Sequence, residues 1–187
     1  MDTNTTVKQL ADLCKKGRIA AIVMFIFCLA AAAAYGISLV MALSGVTDHP
    51  QTDGSGSMMI VSSVGAAARS LASLLKCLLY GAALLICANM FAGIIENQTP
   101  FRDITAAALK KTALLVFISA IVPSFLGCVM YLIFTPVPLA SLSMRELVAQ
   151  SGLTVSLTPL FLSVFLFVMT AVFRYGCLLQ QESDETL

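Results

Sequence analysis

The sequence lacks tryptophan altogether, has a single histidine and is poor in charge. Charged residues fill 11% of the 187 positions and hydrophobic ones 59%, against roughly 25% and 45–50% in soluble globular chains. So little polar surface excludes a water-soluble body, and the length suits one domain. The formal net charge is +1. Its basic residues sit beside apolar runs instead of massing on one face, which excludes direct nucleic-acid binding, because phosphate neutralisation needs clustered Lys and Arg.

Scarce histidine also limits the chemistry. A Cys–His or Ser–His nucleophile would have to use His49. Asp48, His49 and Asp53 form the only acid–histidine cluster in the sequence. Gly54 and Gly56 beside it work against the three or four rigid ligands that a metal requires. Six cysteines are present but no Cys-x-x-Cys pair. Cys28, Cys87 and Cys128 fall inside apolar runs, and Cys77 and Cys177 near run ends, where a thiol acts as a small packing group. Cys14, ahead of the first run, is the thiol expected to meet water. No cofactor or metal signature appears, and the chain reads as non-enzymatic.

What is abundant is uninterrupted apolar sequence. Ile19 to Leu43 gives 25 residues without a charge; at ~1.5 Å per residue it reaches ~37 Å, more than the ~30 Å hydrocarbon core. Basic Lys15, Lys16 and Arg18 before it and Ala30 to Ala34 within it invite a signal-peptide reading. A signal core is only ~7–15 residues long, so retention is expected. Cys77 to Ile95 supplies 19 uncharged residues, Thr112 to Phe134 supplies 23 and Val155 to Phe173 supplies 19. Extended to a tolerated Lys76 and Arg174, the spans lie at about 19–43, 71–95, 112–134 and 155–179. The expected fold is all-α, a four-helix transmembrane bundle over residues 1–187 with short interfacial helices in the loops.

Orientation follows from Lys and Arg in the short connections, which stay preferentially in the cytoplasm. Lys8, Lys15, Lys16, Arg18, Arg102, Lys110, Lys111 and Arg174 lie on one side, eight of the 11, and Arg69, Lys76 and Arg145 on the other. Both termini and the central loop are therefore expected inside. No Asp or Glu falls within a span core, which weighs against proton- or sodium-coupled transport.

Pro and Thr punctuate the helices. Thr99-Pro100 and Thr158-Pro159 each pair a cap with a residue suited to the first helical position, so helix three is expected to start at Pro100. Phe101, Ile104 and Ala108 form an apolar stripe there, read as packing against the membrane surface or other helices. Pro123, near the middle of span three, removes a hydrogen bond to the Ser119 carbonyl and predicts a kink. Met58 to Ser70 reads as either an interfacial helix or an early extension of span two. After Thr135-Pro-Val-Pro138, Ser143 and Glu146 form a capping box over Met144 to Gln150, with Gly152 as terminator. Small residues at Ala30 to Ala34, Ser73, Cys77 and Gly81 permit close helix packing, in a bundle or in a homo-oligomer.

Two cations and one amide fall within the spans. Lys76 and Arg174, each about five residues from a span end, are expected to snorkel, whereas Asn89 lies deeper and is read as a helix-pairing amide. An alternative function uses Lys76, Asn89 and the Pro123 kink as a polar pocket for small-molecule binding or transport.

The tail Val172-Phe-Arg-Tyr-Gly-Cys-Leu-Leu-Gln-Gln-Glu-Ser-Asp-Glu-Thr-Leu187 resembles the ending of a family of small bacterial four-helix membrane proteins, domain of unknown function 2975. Thr99-Pro-Phe101, followed by basic residues, resembles its central Pro-Phe motif. Where the family ending commonly reads more like Asp-Leu-Thr-Val, this chain has Asp184-Glu-Thr-Leu187. The resemblance implies a bacterial plasma membrane, no established activity and, because members are often found beside small helix-turn-helix regulators, a regulatory partner. Both motifs fall on the expected cytoplasmic face. There Thr99, Pro100, Phe101, Asp103, Arg174, Glu182 and Asp184 are the candidate interaction residues. Arg174 is placed to pair with Glu96 or Asp103, and Glu182, Asp184 and Glu185 with Lys110 or Lys111. The resulting expectation is a sensor or anchor for a cytoplasmic protein partner in the lipid bilayer.

Overall fold

A computed structural model of the chain describes residues 3–44, 56–97, 103–134, 148 and 156–185. Every described residue except Ser44 and Ser156 is helical, with no strand among them. Backbone amides and carbonyls in hydrocarbon have no water to bond, and a continuous helix satisfies them within the segment. Four helices result: α1 (Thr3–Leu43), α2 (Gly56–Asn97), α3 (Asp103–Phe134) and α4 (Leu157–Glu185).

All four contain stretches long and apolar enough to cross a membrane, at Ala11–Leu43, Ser63–Glu96, Ile104–Phe134 and Leu157–Leu179. The chain is thus an all-α, multi-pass membrane protein. With 41 and 42 residues, α1 and α2 reach ~60 Å each, about twice the hydrocarbon thickness. Met58 to Ser70 continues into α2 as one helix. α1 ends where the Ser44 amide donates to the Val40 carbonyl at 2.9 Å and the Ser44 hydroxyl to the Met41 carbonyl at 3.0 Å. α3 runs through Pro123 without interruption. α4 begins at Leu157, directly after Ser156, so Pro159 is the third helical residue and not the first. It remains within the turn whose amides have no helical acceptor.

The helices divide into two compact units. One comprises Met1–Phe27, Leu79–Phe117 and Thr158–Leu187; the other comprises Cys28–Leu78 and Ile118–Leu157. In the first, small groups meet at the interior: Cys14 and Ala21 of α1, Ala83 and Ala88 of α2, Ala106 and Ala113 of α3, and Ser163 and Thr170 of α4 are all buried. Gly17 lets α1 come close to α2, because a Cβ there would lie 3.2 Å from the Phe91 ring. That approach corrects the expectation for Cys14. Three residues before Gly17 on the same face, it is only 5% exposed.

The second unit is also built on small residues. Ala42, Ala68 and Ala72 are buried together with Ser70, Ser119, Ser124 and Tyr131. Ser38 and Ser70 join α1 to α2 through a hydroxyl–hydroxyl bond of 3.0 Å. A cavity of about 240 Å³ is lined by Ala42, Leu43, Ser63, Val64, Ala67, Ala68, Met130 and Phe134.

Burial along the spans is uneven. In α3, 39% of the most apolar window is buried, against 6% in α1. α1 instead exposes Ile19, Ile22, Val23, Ile26 and Phe27, and α4 exposes Phe161, Val164, Phe165, Val168 and Val172. In a bilayer these side chains meet acyl chains, which are as apolar as they are. The loop helix expected at Met144–Gln150 lies outside the described residues except for Val148. The Asp48–His49–Asp53 cluster and Thr135-Pro136 lie outside them as well.

Candidate functional site

The first unit carries most of the described charge. Asp12, Lys15, Lys16 and Arg18 of α1, Glu96 of α2, Lys110 and Lys111 of α3, and Arg174 and Glu182 of α4 are all exposed. The second unit contributes exposed Arg69 and half-buried Lys76. Polar groups inside the first unit are quieted locally. The Thr112 hydroxyl donates to the Ala108 carbonyl at 3.0 Å and accepts from the Cys87 thiol at 3.8 Å. Ser163 donates to Leu160 at 2.7 Å, and Thr170 to Leu166 at 2.8 Å. Back-bonding within one helix lets such hydroxyls be buried without a partner from another helix.

The start of α3 turns its lysines outward together with some apolar surface. Thr105, Ala106 and Leu109 point inward, while Ile104 is 72% exposed and Ala107, Lys110 and Lys111 share its side. Of the apolar stripe read from Phe101, Ile104 and Ala108, Ile104 is exposed, as contact with the membrane surface requires, Ala108 is half-buried, and Phe101 lies outside the described residues. Small Ala106 and Ala113, seven residues apart, set the inward seam. On α4 the corresponding seam is Pro159, Ser163, Thr170 and Cys177, leaving Arg174, Tyr175, Leu178 and Glu182 exposed.

The candidate residues are thus placed unequally. Arg174 and Glu182 are exposed on α4 of the first unit. Of Asp103 and Asp184 only the helical backbone is described, and Thr99, Pro100 and Phe101 lie outside the described residues. Arg174 makes no described ion pair with Glu96. Asn89, read as a helix-pairing amide, lies exposed on the first unit's part of α2. Lys76 and the fully buried Pro123 belong to the second unit, and neither lines its 240 Å³ cavity.

Sequence reasoning missed a further feature of the first unit. Ala11, Asp12, Lys15 and Arg18 of α1 and Ile95 of α2 line a cleft of about 430 Å³. Beside it Lys16 pairs with Asp12 at 3.0 Å. The i, i+3 spacing of Lys15 and Arg18 was a signal for this, since it puts both cations on one helix face.

No curated protein and no solved structure matches the chain. The family described as Protein of unknown function (DUF2975) matches residues 70–187, which takes in both motifs that carry the resemblance. The chain belongs to that family, domain of unknown function 2975.

Proposed function

We propose that this is a non-enzymatic protein of the bacterial plasma membrane, with both termini in the cytoplasm, that acts as a sensor or anchor by holding a cytoplasmic regulatory protein. The observation that carries this reading is the exposed mixed surface of the first unit. Ile104, Lys110 and Lys111 on α3, and Arg174, Tyr175 and Glu182 on α4, combine apolar area with both signs of charge outside the packed seams. Such a combination suits a partner surface, where apolar and aromatic groups supply affinity and rim charges supply selectivity. The class of partner in this reading is the small helix-turn-helix regulator that the resemblance implies.

The test compares proteins captured from membranes by the wild-type chain and by a chain truncated after Tyr175, which keeps residues 157–175 of α4. A helix-turn-helix protein is expected with the former and absent with the latter. Identical partner profiles would remove the reading. A Lys110→Glu, Lys111→Glu chain, altered only at exposed positions, is expected to lose the same partner.

A further inference from the structure

The cleft lined by Lys15, Arg18 and Ile95 lies at a level that the sequence marks out. Arg18 directly precedes the uncharged run Ile19–Leu43, with Lys15 three residues before it, and Ile95 closes the uncharged run Cys77–Ile95. Both runs therefore end at the cleft, at the depth where hydrocarbon gives way to headgroups. Lys15 and Arg18 are exposed and three residues apart on one side of α1. Among the described residues neither has a carboxylate partner, while the one acid of the cleft, Asp12, is taken up by Lys16 at 3.0 Å. The same helical stripe continues from Arg18 through Ile22 to Ile26, at i+4 and i+8, and both isoleucines are exposed.

Two free cations at the surface end of a stripe that turns wholly apolar below form the complement of an amphiphile with an anionic head. We propose that this cleft is a binding site for an anionic phospholipid, its phosphate held between the Lys15 ammonium and the Arg18 guanidinium and one acyl chain lying along Ile22 and Ile26. Arg gives a phosphate two parallel hydrogen bonds and Lys a point charge. Basic pockets between membrane helices at headgroup level bind such lipids. The occupant is a membrane lipid and not free phosphate, because a small anion would leave the apolar stripe unused.

The test uses the full chain purified in detergent, with retained lipid counted by native mass spectrometry after exchange against phosphatidylglycerol or phosphatidylcholine. Wild type is expected to hold one phosphatidylglycerol at least tenfold more tightly than phosphatidylcholine. Lys15→Gln with Arg18→Gln is expected to weaken retention about fivefold per cation removed, whereas Lys15→Arg with Arg18→Lys preserves it. Lys110→Gln with Lys111→Gln removes the same charge elsewhere in the unit and is expected to leave retention intact. Equal retention of the two lipids, equal loss in both double Gln variants, or displacement of phosphatidylglycerol by millimolar inorganic phosphate would each overturn the proposal.

Discussion

Ala113 has no exposed surface, and in a membrane that matters for a reason different from the one in water. Lipid is as apolar as the protein interior, so burying a methyl gains little from leaving solvent, and what counts is the fit of helix against helix. Ala113→Leu is accordingly expected to cost about 1–3 kcal/mol through overpacking, read from reversible unfolding in mixed micelles. Ala107→Leu, on the exposed side of the same helix, is expected to be near neutral. Glycines separate in the same way. A Cβ at Gly17 would touch the Phe91 ring at 3.2 Å, whereas among the described residues no neighbouring element comes within 4 Å of one at Gly93. Gly93→Ala should be neutral or stabilise by up to about 1 kcal/mol; Gly17→Ile, which must push α1 away, should destabilise by about 1–3 kcal/mol. At this scale the sequence was only partly legible. Cys14 stands ahead of the first uncharged run and so reads as wet, but helical spacing from Gly17 turns it inward.

Among the elements, α2 shows best how a local pattern becomes a contact. Gly65, Ala68 and Ala72, at i, i+3 and i+7, are buried on one face, and Ser70 reaches Ser38 of α1 at 3.0 Å. A hydroxyl pair of this kind in a membrane protein contributes about 0.6 kcal/mol. A double-mutant cycle of Ser38→Ala and Ser70→Ala should show coupling of that size, and strict additivity would mean that the bond contributes no net stability. The elements themselves were legible, because runs of 19 to 25 uncharged residues leave the backbone no alternative to helix in a bilayer. Their true lengths were not. α2 carries Arg69 and Lys76 within one continuous helix, since long basic side chains extend toward water without breaking the helix that bears them.

For the whole molecule the testable quantity is topology. Reporter fusions after Gly54 and after Gln181 are expected to report opposite compartments, the second cytoplasmic, in keeping with eight of the 11 basic residues on one side. The same compartment for both would sink the four-crossing arrangement. Four helices of membrane-spanning length, the helical backbone of the described residues and the likeness to the family were legible in the sequence alone, through the length and purity of its apolar runs and two short motifs. Which face of each helix turns inward was decided only by tertiary structure. In a soluble helix a polar face marks the outside, but Ile22 and Ile26 face outward here just as Ala21 faces inward, and hydropathy does not separate them. Side-chain size and fit separate them, and these become readable only once the partner helix is in place. The cleft of Lys15, Arg18 and Ile95 has the same origin, since its walls lie almost eighty residues apart in the chain and meet only through packing.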